Sequence, residues 1–482
     1  MELIYILALP VLCAVISSIR TKHTFLSALI TIIGLSIAFI ESVRVGLIAS
    51  TGVEVVAIEG WLSCDALGAL LLLLIAFVGM TSAIFSWGFT RKVIAQDRPE
   101  RVRRYYRRFN LFIFSMLAVP VLSQIALVWI AVELTTLLSV FLVTFPNTSE
   151  AFEAAWKFAV LTCMGAGLAL FGILVLYWGV TVAGAETFTW SGLVEVAPKI
   201  PPTLLQAAFL FILIGFGTKA GLAPLHTWLP GVYSQTPSPI CALMSGVETS
   251  TALYAIIRLA PAVHGVQGGF SKQWMLIFGL ISVGLAAFLL IQVKEYKRLF
   301  AFSTIEHMGI ILVAVGLSGP AAYFGACYQL LGHAITKSFC FFAAGATLRL
   351  TGKREIDSVR GLIRKSPFVG VSLLLGALAI SGAPPFVVFM SELVILKSGL
   401  SSGQYFSIGL LALFVVIAFC AIMFHISKMV FGTLTDHSDT ALLPRSYAIG
   451  IGIAAIPVCF FGLYIPEPLL NLLHQAAILL GR

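Results

Sequence analysis

Long apolar stretches recur along the chain, and the basic residues and prolines collect in the short segments between them. The stretches follow neither a period-2 strand pattern nor a one-sided 3.6-residue pattern. They are apolar all round, as expected of helices in a protein interior or a bilayer. About 20 apolar residues cross the hydrocarbon layer. On that basis the chain predicts about 14 transmembrane helices, at 2–19, 24–46, 65–89, 109–122, 124–146, 155–180, 203–224, 236–261, 273–293, 301–318, 320–348, 367–396, 404–430 and 446–465. The expected fold class is an all-α polytopic membrane protein.

Two of these stretches are interrupted. In the seventh, "FGTKAGLAPLHTWLPG" (216–231) places Lys219 before Gly221, Pro224 and Pro230. In the twelfth, "SGAPPF" (381–386) precedes Glu392. Each joins a glycine–proline break to one ionisable group. Paired broken helices in corresponding positions point to a transport site between inverted repeats. An offset of five spans reverses the chain direction across the bilayer. The expectation is one membrane domain, 1–482, with two inverted five-helix repeats: helices 4–8 at 109–261 and helices 9–13 at 273–430. Residues 1–108 then carry helices 1–3 and a basic cytoplasmic loop, and 446–482 carry helix 14 and a tail.

Composition agrees with a lipid-solvated chain. Of 482 residues, 59% are hydrophobic and 11% charged, against about 25% charged in a soluble domain. The longest polar run, Arg91 to Arg108, is expected to be a loop. Met1 to Ile19 lacks a basic leader and reads as a retained first span. Eight scattered cysteines, none in a CxxC pair, read as small buried residues that offer no thiolate site for zinc, nickel or iron–sulfur. The net charge of +9 resides mainly in loops that follow odd-numbered spans, including Arg20, Lys22, the run to Arg108, Lys294, Lys297, Arg298, Arg349 to Lys365 and Arg445. That asymmetry puts those loops in the cytoplasm and both termini outside. It is a topology signal and calls for no nucleic acid, because RVRRYYRR lies between two spans.

Ionisable residues within spans are costly, about 2.5–3.5 kcal/mol each, and mark ion paths. Here they are Glu133, Lys157, Lys219, His226, Glu248, Glu306, His307, His333, Lys337, Glu392 and His425. His333 and Lys337, four apart, share a helix face, which suits a proton step between them. Glu133 is the expected anion for Lys219. At about 10 Å and an effective dielectric of about 20 the two would attract by roughly 1.7 kcal/mol. A lysine beside a wetted break gains and loses its proton with hydration, as arginine does not. Each group also has a structural alternative: an ion pair tying two helices, a donor to freed carbonyls, or, for Lys157, a span-end side chain reaching for the headgroups. His425 and Lys428 suit an interfacial position.

Five segments in order, "WIAVELTTLLS", "FGTKAGLAPLHTWLPGVYSQTPSPICALMSG", "YKRLFAFSTIEHMGI", "GHAITKSFCFFAAG" and "SGAPPFVVFMSE", resemble the antiporter-like membrane subunits of respiratory complex I, of multi-subunit sodium/proton antiporters and of energy-converting hydrogenases. "STIEHMGI", "ITKSFCFFAAG" and "PPFVVFMSE" resemble the hydrogenase-4 component F group, found in formate hydrogenlyase-like and other group 4 membrane-bound [NiFe]-hydrogenase complexes. The resemblance implies 14 helices with the seventh and twelfth broken, and a row of buried polar groups for proton translocation: Glu133, Lys219, His307, His333, Lys337 and Glu392. Lys157, His226, Glu248, Ser250 and Glu306 are secondary candidates. Many members carry a lysine or histidine where this chain has Ser250, which implies a detour through water, Glu248 and His307, or weak pumping.

The resemblance implies no catalytic residue, metal or cofactor in this chain, with nickel–iron and iron–sulfur clusters in partner subunits. It implies other membrane subunits and peripheral hydrogenase or redox subunits as partners, protons or sodium as the ion, and a bacterial or archaeal cytoplasmic (inner) membrane as the location. A sodium/proton antiporter subunit without a redox partner, or a non-pumping scaffold, are the alternatives.

Overall fold

The computed structural model describes residues 1–19, 25–94, 98–185, 188–264, 269–433 and 442–481. Arg20 and Lys22 of the charge argument lie outside them. The chain opens with α1 (Glu2–Ser18) and α2 (Phe25–Ala49), then a short antiparallel hairpin of β1 (Val55–Ile58) and β2 (Leu62–Cys64) that sets Val55 opposite Cys64. Next come α3 (Ala66–Ile94), α4 (Pro99–Ala118), α5 (Ile125–Val143), α6 (Ser149–Val182) and the short α7 (Trp190–Val196). The seventh predicted span, 203–224, holds α8 (Pro202–Ala220) and its break, and α9 (Trp228–Gln235) follows between it and the eighth. The eighth is α10 (Ser238–Leu243), a π turn over Met244–Glu248, α11 (Thr249–Ile257) and α12 (Ala260–His264). Then follow α13 (Phe270–Ile291), α14 (Tyr296–Leu317), α15 (Pro320–Thr351) and α16 (Leu362–Lys365). The twelfth span is again divided, into α17 (Pro367–Ile380) and α18 (Val387–Ser401), before α19 (Tyr405–Phe431), α20 (Arg445–Phe460) and α21 (Glu467–Leu480).

Among the described residues nine helical segments are long and apolar enough to cross a membrane, and α1, α17 and α20 are shorter apolar helices. Ser238–His264 and α14 are buried nearly all round, whereas α6 and α19 are buried along one side only. The polar groups of the site therefore sit on central helices, and the outer ones present apolar side chains such as Trp156, Met164, Phe171, Val416 and Phe424. Small residues set the closest approaches. A Cβ on Gly215 of α8 would collide with the backbone of Ala169 and Gly165 of α6, so these helices pack backbone to backbone.

Two expectations change. The run to Arg108 is not all loop, because α4 starts at Pro99, with Pro99 and Glu100 in its first turn, both favourable there. Val102, Tyr105, Tyr106 and Phe109 are buried while Arg104 and Arg107 face out, the spacing of an amphipathic helix. Arg101 and Arg108 cover the rings of Phe145 and Phe141, at 4.9 and 5.0 Å from the ring centres. Pro230 breaks nothing, since it lies in the first turn of α9, where the missing N–H has no helical partner to lose. The tail after α20 forms α21, which packs on α3 and α15.

Candidate functional site

The two breaks are built alike. α8 ends at Ala220, Gly221 takes φ +80°, and Leu222 N–H returns to Gly217 O at 2.8 Å. α17 ends at Ile380, Gly382 takes φ +75°, and Ala383 N–H returns to Leu378 O at 3.0 Å. A left-handed glycine that closes the last turn is the usual C-terminal cap. The Ala223–Pro224 and Pro384–Pro385 peptide bonds are both cis. At the first break Ala223 N–H is taken up by Ser282 Oγ (2.9 Å) and Trp228 Nε1 donates to Thr218 O (2.9 Å), so the interruption is pinned from both sides.

The capped turn aims Lys219 into the interior. Its Nζ donates to Val132 O at 2.8 Å and to Thr136 Oγ1, and stands 3.4 Å from Glu248 Oε1. Glu248 Oε1 also accepts from Thr135 Oγ1 (3.2 Å) and Ser139 Oγ (3.1 Å). Both side chains are buried. The anion beside Lys219 is thus Glu248, and the expected Glu133 partner is corrected. Val132, Thr136 and Ser139 form the α5 stripe that faces Lys219; Glu133 lies off that stripe, toward α6. There its Oε1 accepts from Cys163 Sγ at 3.1 Å, its Oε2 has no partner among the described residues, and the residue is half-buried. Cys163 is exposed, against the expectation that the cysteines are buried fillers.

From Glu248 the polar path continues through the π turn. His333 Nε2 donates to Ser245 O at 2.8 Å, and Ser245 Oγ pairs with Thr304 Oγ1 at 2.7 Å. The His333 and His307 rings are 5.3 Å apart between centres. His307 Nε2 donates to Ile380 O (3.0 Å), at the edge of the second break, and its Nδ1 faces the Gln329 amide nitrogen at 3.4 Å. Gln329 Oε1 in turn accepts from Ser391 Oγ, the neighbour of Glu392. His333 and Lys337 share a face of α15 but turn to different helices. Lys337 Nζ donates to Phe300 O (2.8 Å) and Ser303 Oγ (2.5 Å) on α14. The link from His333 therefore runs to His307, and the expected His333–Lys337 step is not a direct contact.

At the second break the Glu392 carboxylate is buried and lies against Gly382, where a Cβ would meet its Oε2. Glu306 is buried one residue before His307, and its Oε2 has no partner among the described residues. The remaining candidates fall outside the row. Lys157 is exposed and pairs with Glu153 one turn earlier, at 2.5 Å. Ser250 Oγ donates to Gly246 O of its own helix at 3.0 Å. His226 is buried in the first break, and its Nδ1 has no partner among the described residues. His425 Nε2 donates to the end of α13, at Leu290 O (3.1 Å), and Lys428 pairs with Asp357 at 2.5 Å. The sequence reading missed the neutral members of the row: Thr135, Thr136, Ser139, Ser245, Ser303, Thr304, Gln329 and Ser391. Their signal is a polar residue recurring within otherwise apolar helices. Among the described residues no group of three side chains could hold a metal ion.

Residues 123–419 match the family profile "NADH:quinone oxidoreductase/Mrp antiporter, TM". The chain belongs to this family. All the breaks and buried ionisable groups described above lie within the matched residues. This antiporter-family chain is 34% identical over 425 residues to a hydrogenase-4 component F homolog of Methylacidiphilum infernorum (isolate V4), across 86% of this chain and 88% of that relative. It shares its fold with a chain of the membrane-bound sulfane sulfur reductase, an archaeal respiratory membrane complex, at TM-score 0.86 and 24% identity, covering 99% of this chain and 97% of that one. It likewise shares its fold with a chain of the Mrp complex of Dietzia sp. DQ12-45-1b, at TM-score 0.85 and 20% identity, covering 99% and 96%.

Proposed function

We propose that this antiporter-like subunit moves protons through a redox-driven membrane complex, a group 4 membrane-bound hydrogenase or formate hydrogenlyase-like assembly. The observation that carries the reading is the buried row that joins the two breaks: Lys219–Glu248, Ser245, His333, His307, then Gln329–Ser391 beside Glu392. The relationship to the hydrogenase-4 component F homolog supports the choice of complex. Electrons would pass through nickel–iron and iron–sulfur clusters held by peripheral subunits. The basic loops would face the cytoplasm, with both termini outside, in a bacterial or archaeal inner membrane.

The chemistry follows from the contacts. Lys219 holds a proton against Glu248. At 3.4 Å and an effective dielectric of about 20 the gross attraction is roughly 5 kcal/mol. Moving one charge through about 150 mV costs roughly 3.5 kcal/mol. A change of counter-ion at this pair is therefore large enough to release a proton against the membrane potential. Withdrawal of the Glu248 charge, by protonation or by a charge arriving at a neighbouring subunit, frees the lysine proton. Hydroxyls of Thr135, Thr136 and Ser139 contact the pair and are placed to pass it on. His333 and His307 each hold one ring nitrogen on a backbone carbonyl. Further transfer requires a ring turn or an intervening water. The groups then titrate as a coupled set.

The test is reconstitution of the complex, purified in mild detergent, into proteoliposomes. Co-purification of hydrogenase subunits and donor-driven acidification that Lys219→Ala abolishes are the expected results. Sodium-coupled antiport without redox subunits would support the antiporter alternative. Unchanged pumping in Lys219→Ala would support the scaffold.

A further inference from the structure

Eight basic residues stand against two acids between Arg91 and Arg108. α4 carries most of them, and its outward face changes character along its length. Arg104 and Arg107 are exposed, and Leu111 and Phe114 follow them, half-buried. Steps of three and four residues stack these four side chains in one stripe. Arg107 stands about 10 Å along the helix axis from Phe114.

The depth of the stripe follows from its neighbours. Arg108 Nη1 donates to Phe141 O at 3.2 Å, and its guanidinium covers the Phe141 ring. Phe141 faces outward in the last turn of the spanning helix α5. Arg104 and Arg107 therefore stand where a spanning segment ends and lipid headgroups begin, and Leu111 and Phe114 stand beside the acyl chains. α4 packs against α1 and α5, whose outward-facing Val15 and Leu137 extend the apolar surface. Trp87 of α3 and Trp156 of α6 also face outward toward this end, as interfacial tryptophans do. Among the described residues no hydrogen bond or ion pair within the chain engages Arg104 or Arg107. The acid of their own helix, Glu100, pairs with Arg103 at 2.5 Å. At the same end of the bundle Arg360 bonds Asp357 and Arg354 bonds Gln235, each at 2.8 Å. Those basic groups are answered by the chain itself, whereas Arg104 and Arg107 are not.

We propose that the α4 stripe is a binding site for an anionic phospholipid, with the phosphate on Arg104 and Arg107 and an acyl chain along Leu111 and Phe114. Planar guanidinium groups match phosphate oxygens, and basic clusters beside a spanning helix attract anionic lipid. An acidic protein segment would complement the arginines but not their apolar continuation into the bilayer. The site does not depend on which ion the chain moves.

Native mass spectrometry of the full chain, released from nanodiscs of equal phosphatidylglycerol and phosphatidylcholine, counts the lipids it retains. The parent should keep phosphatidylglycerol in about tenfold preference. Arg104→Gln/Arg107→Gln should abolish that preference, and Arg104→Lys/Arg107→Lys, which keeps the charge, should restore most of it. Arg360→Gln removes a charge from the same end and should leave the preference unchanged. An equal loss in Arg360→Gln would reduce the effect to general surface charge and overturn the site. Equal retention in the parent and the double glutamine variant would do the same. Soluble glycerol phosphate, a headgroup without chains, should not displace the lipid. Displacement would overturn the lipid in favour of a free-phosphate site. In the assembled complex the lipid should remain. Its loss there, with Arg104→Lys cross-linking to carboxylates of a partner subunit, would overturn it in favour of a protein contact.

Discussion

Two ion pairs decide the argument at the scale of single residues, and they are of different kinds. Lys219–Glu248 lies deep in the bundle. Removal of one partner leaves the other charge uncompensated, at a cost of about 3–5 kcal/mol. Lys219→Met and Glu248→Gln should each lower the melting midpoint of the purified chain, and the double variant should fall well short of the sum. Additive losses would mean that the two side chains do not hold each other. Ser250→Ala should leave both stability and pumping close to the parent, because its hydroxyl only returns to its own helix. The second pair, Arg258–Asp65 (2.6 Å), lies at one end of the bundle, where Arg258 also covers the rings of Trp190 and Tyr254, each at 5.5 Å. Burial opposes the charge on Asp65, but the Arg258 guanidinium and the N–H groups of Gly68 and Leu67 outweigh it and hold the carboxyl below its ordinary range. A depressed carboxyl stabilises fully above its unfolded value, near pH 4, and that stability is lost as pH falls further through the folded value. Asp65→Asn should cost about 3 kcal/mol at pH 7. The melting midpoint of the parent should then drop more steeply than that of Asp65→Asn below pH 4. The intramembrane charges were legible as exceptions in an apolar chain. Asp65 was not, because it sits at the very start of the expected span 65–89 and its partner is 193 residues away.

At the scale of elements, the breaks were readable because glycine followed by proline ends a helix by a mechanism that does not depend on context. The partner of Lys219 was not readable, for an equally local reason. Helix spacing alone does not give the face on which Glu248 lies, because Met244–Glu248 is a π turn. The extra residue of such a turn rotates everything after it by roughly 100°, enough to exchange one face for another. The arginine run within α4 misled in the opposite way. Its charges suggested loop, whereas the buried Val102, Tyr105, Tyr106 and Phe109 carried the helical period. The two capping glycines allow the breaks to be tested separately. Each is left-handed, so alanine should cost about 1–2 kcal/mol at either. A Cβ at Gly221 meets only the tip of Leu229, but at Gly382 it meets the Glu392 carboxylate. Gly221→Ala and Gly382→Ala should therefore lower the melting midpoint to a similar extent, with the loss of proton translocation confined largely to Gly382→Ala. Equal translocation losses would show that break strain, and not the Glu392 position, is what matters.

For the whole molecule, the question is which flank meets the rest of the complex. The second break is sealed, since Glu306 and Glu392 are buried within this chain. Beside the first break, off the row, one carboxylate is more open. Glu133 is half-buried among outward-facing Ile130, Leu137 and Phe141 of α5 and Val160, Met164 and Phe171 of α6, with exposed Cys163 bonded to one oxygen and the other oxygen buried and without a partner among the described residues. A carboxylate left in lipid at mid-span costs about 2.5–3.5 kcal/mol on insertion scales, whereas a neighbouring membrane subunit that brings a donor or a cation removes most of that cost. The flank carrying Glu133 is accordingly the one that assembly should cover. A hydrophobic carbodiimide, which approaches carboxyl groups from the apolar phase, distinguishes the two environments. With the chain isolated in detergent, peptide mass spectrometry should find the adduct on Glu133 and not on Glu248, Glu306 or Glu392. In the assembled complex the Glu133 adduct should fall to background. Equal labelling in both would place Glu133 against lipid in the working assembly, and the row would then have to take its input from another side.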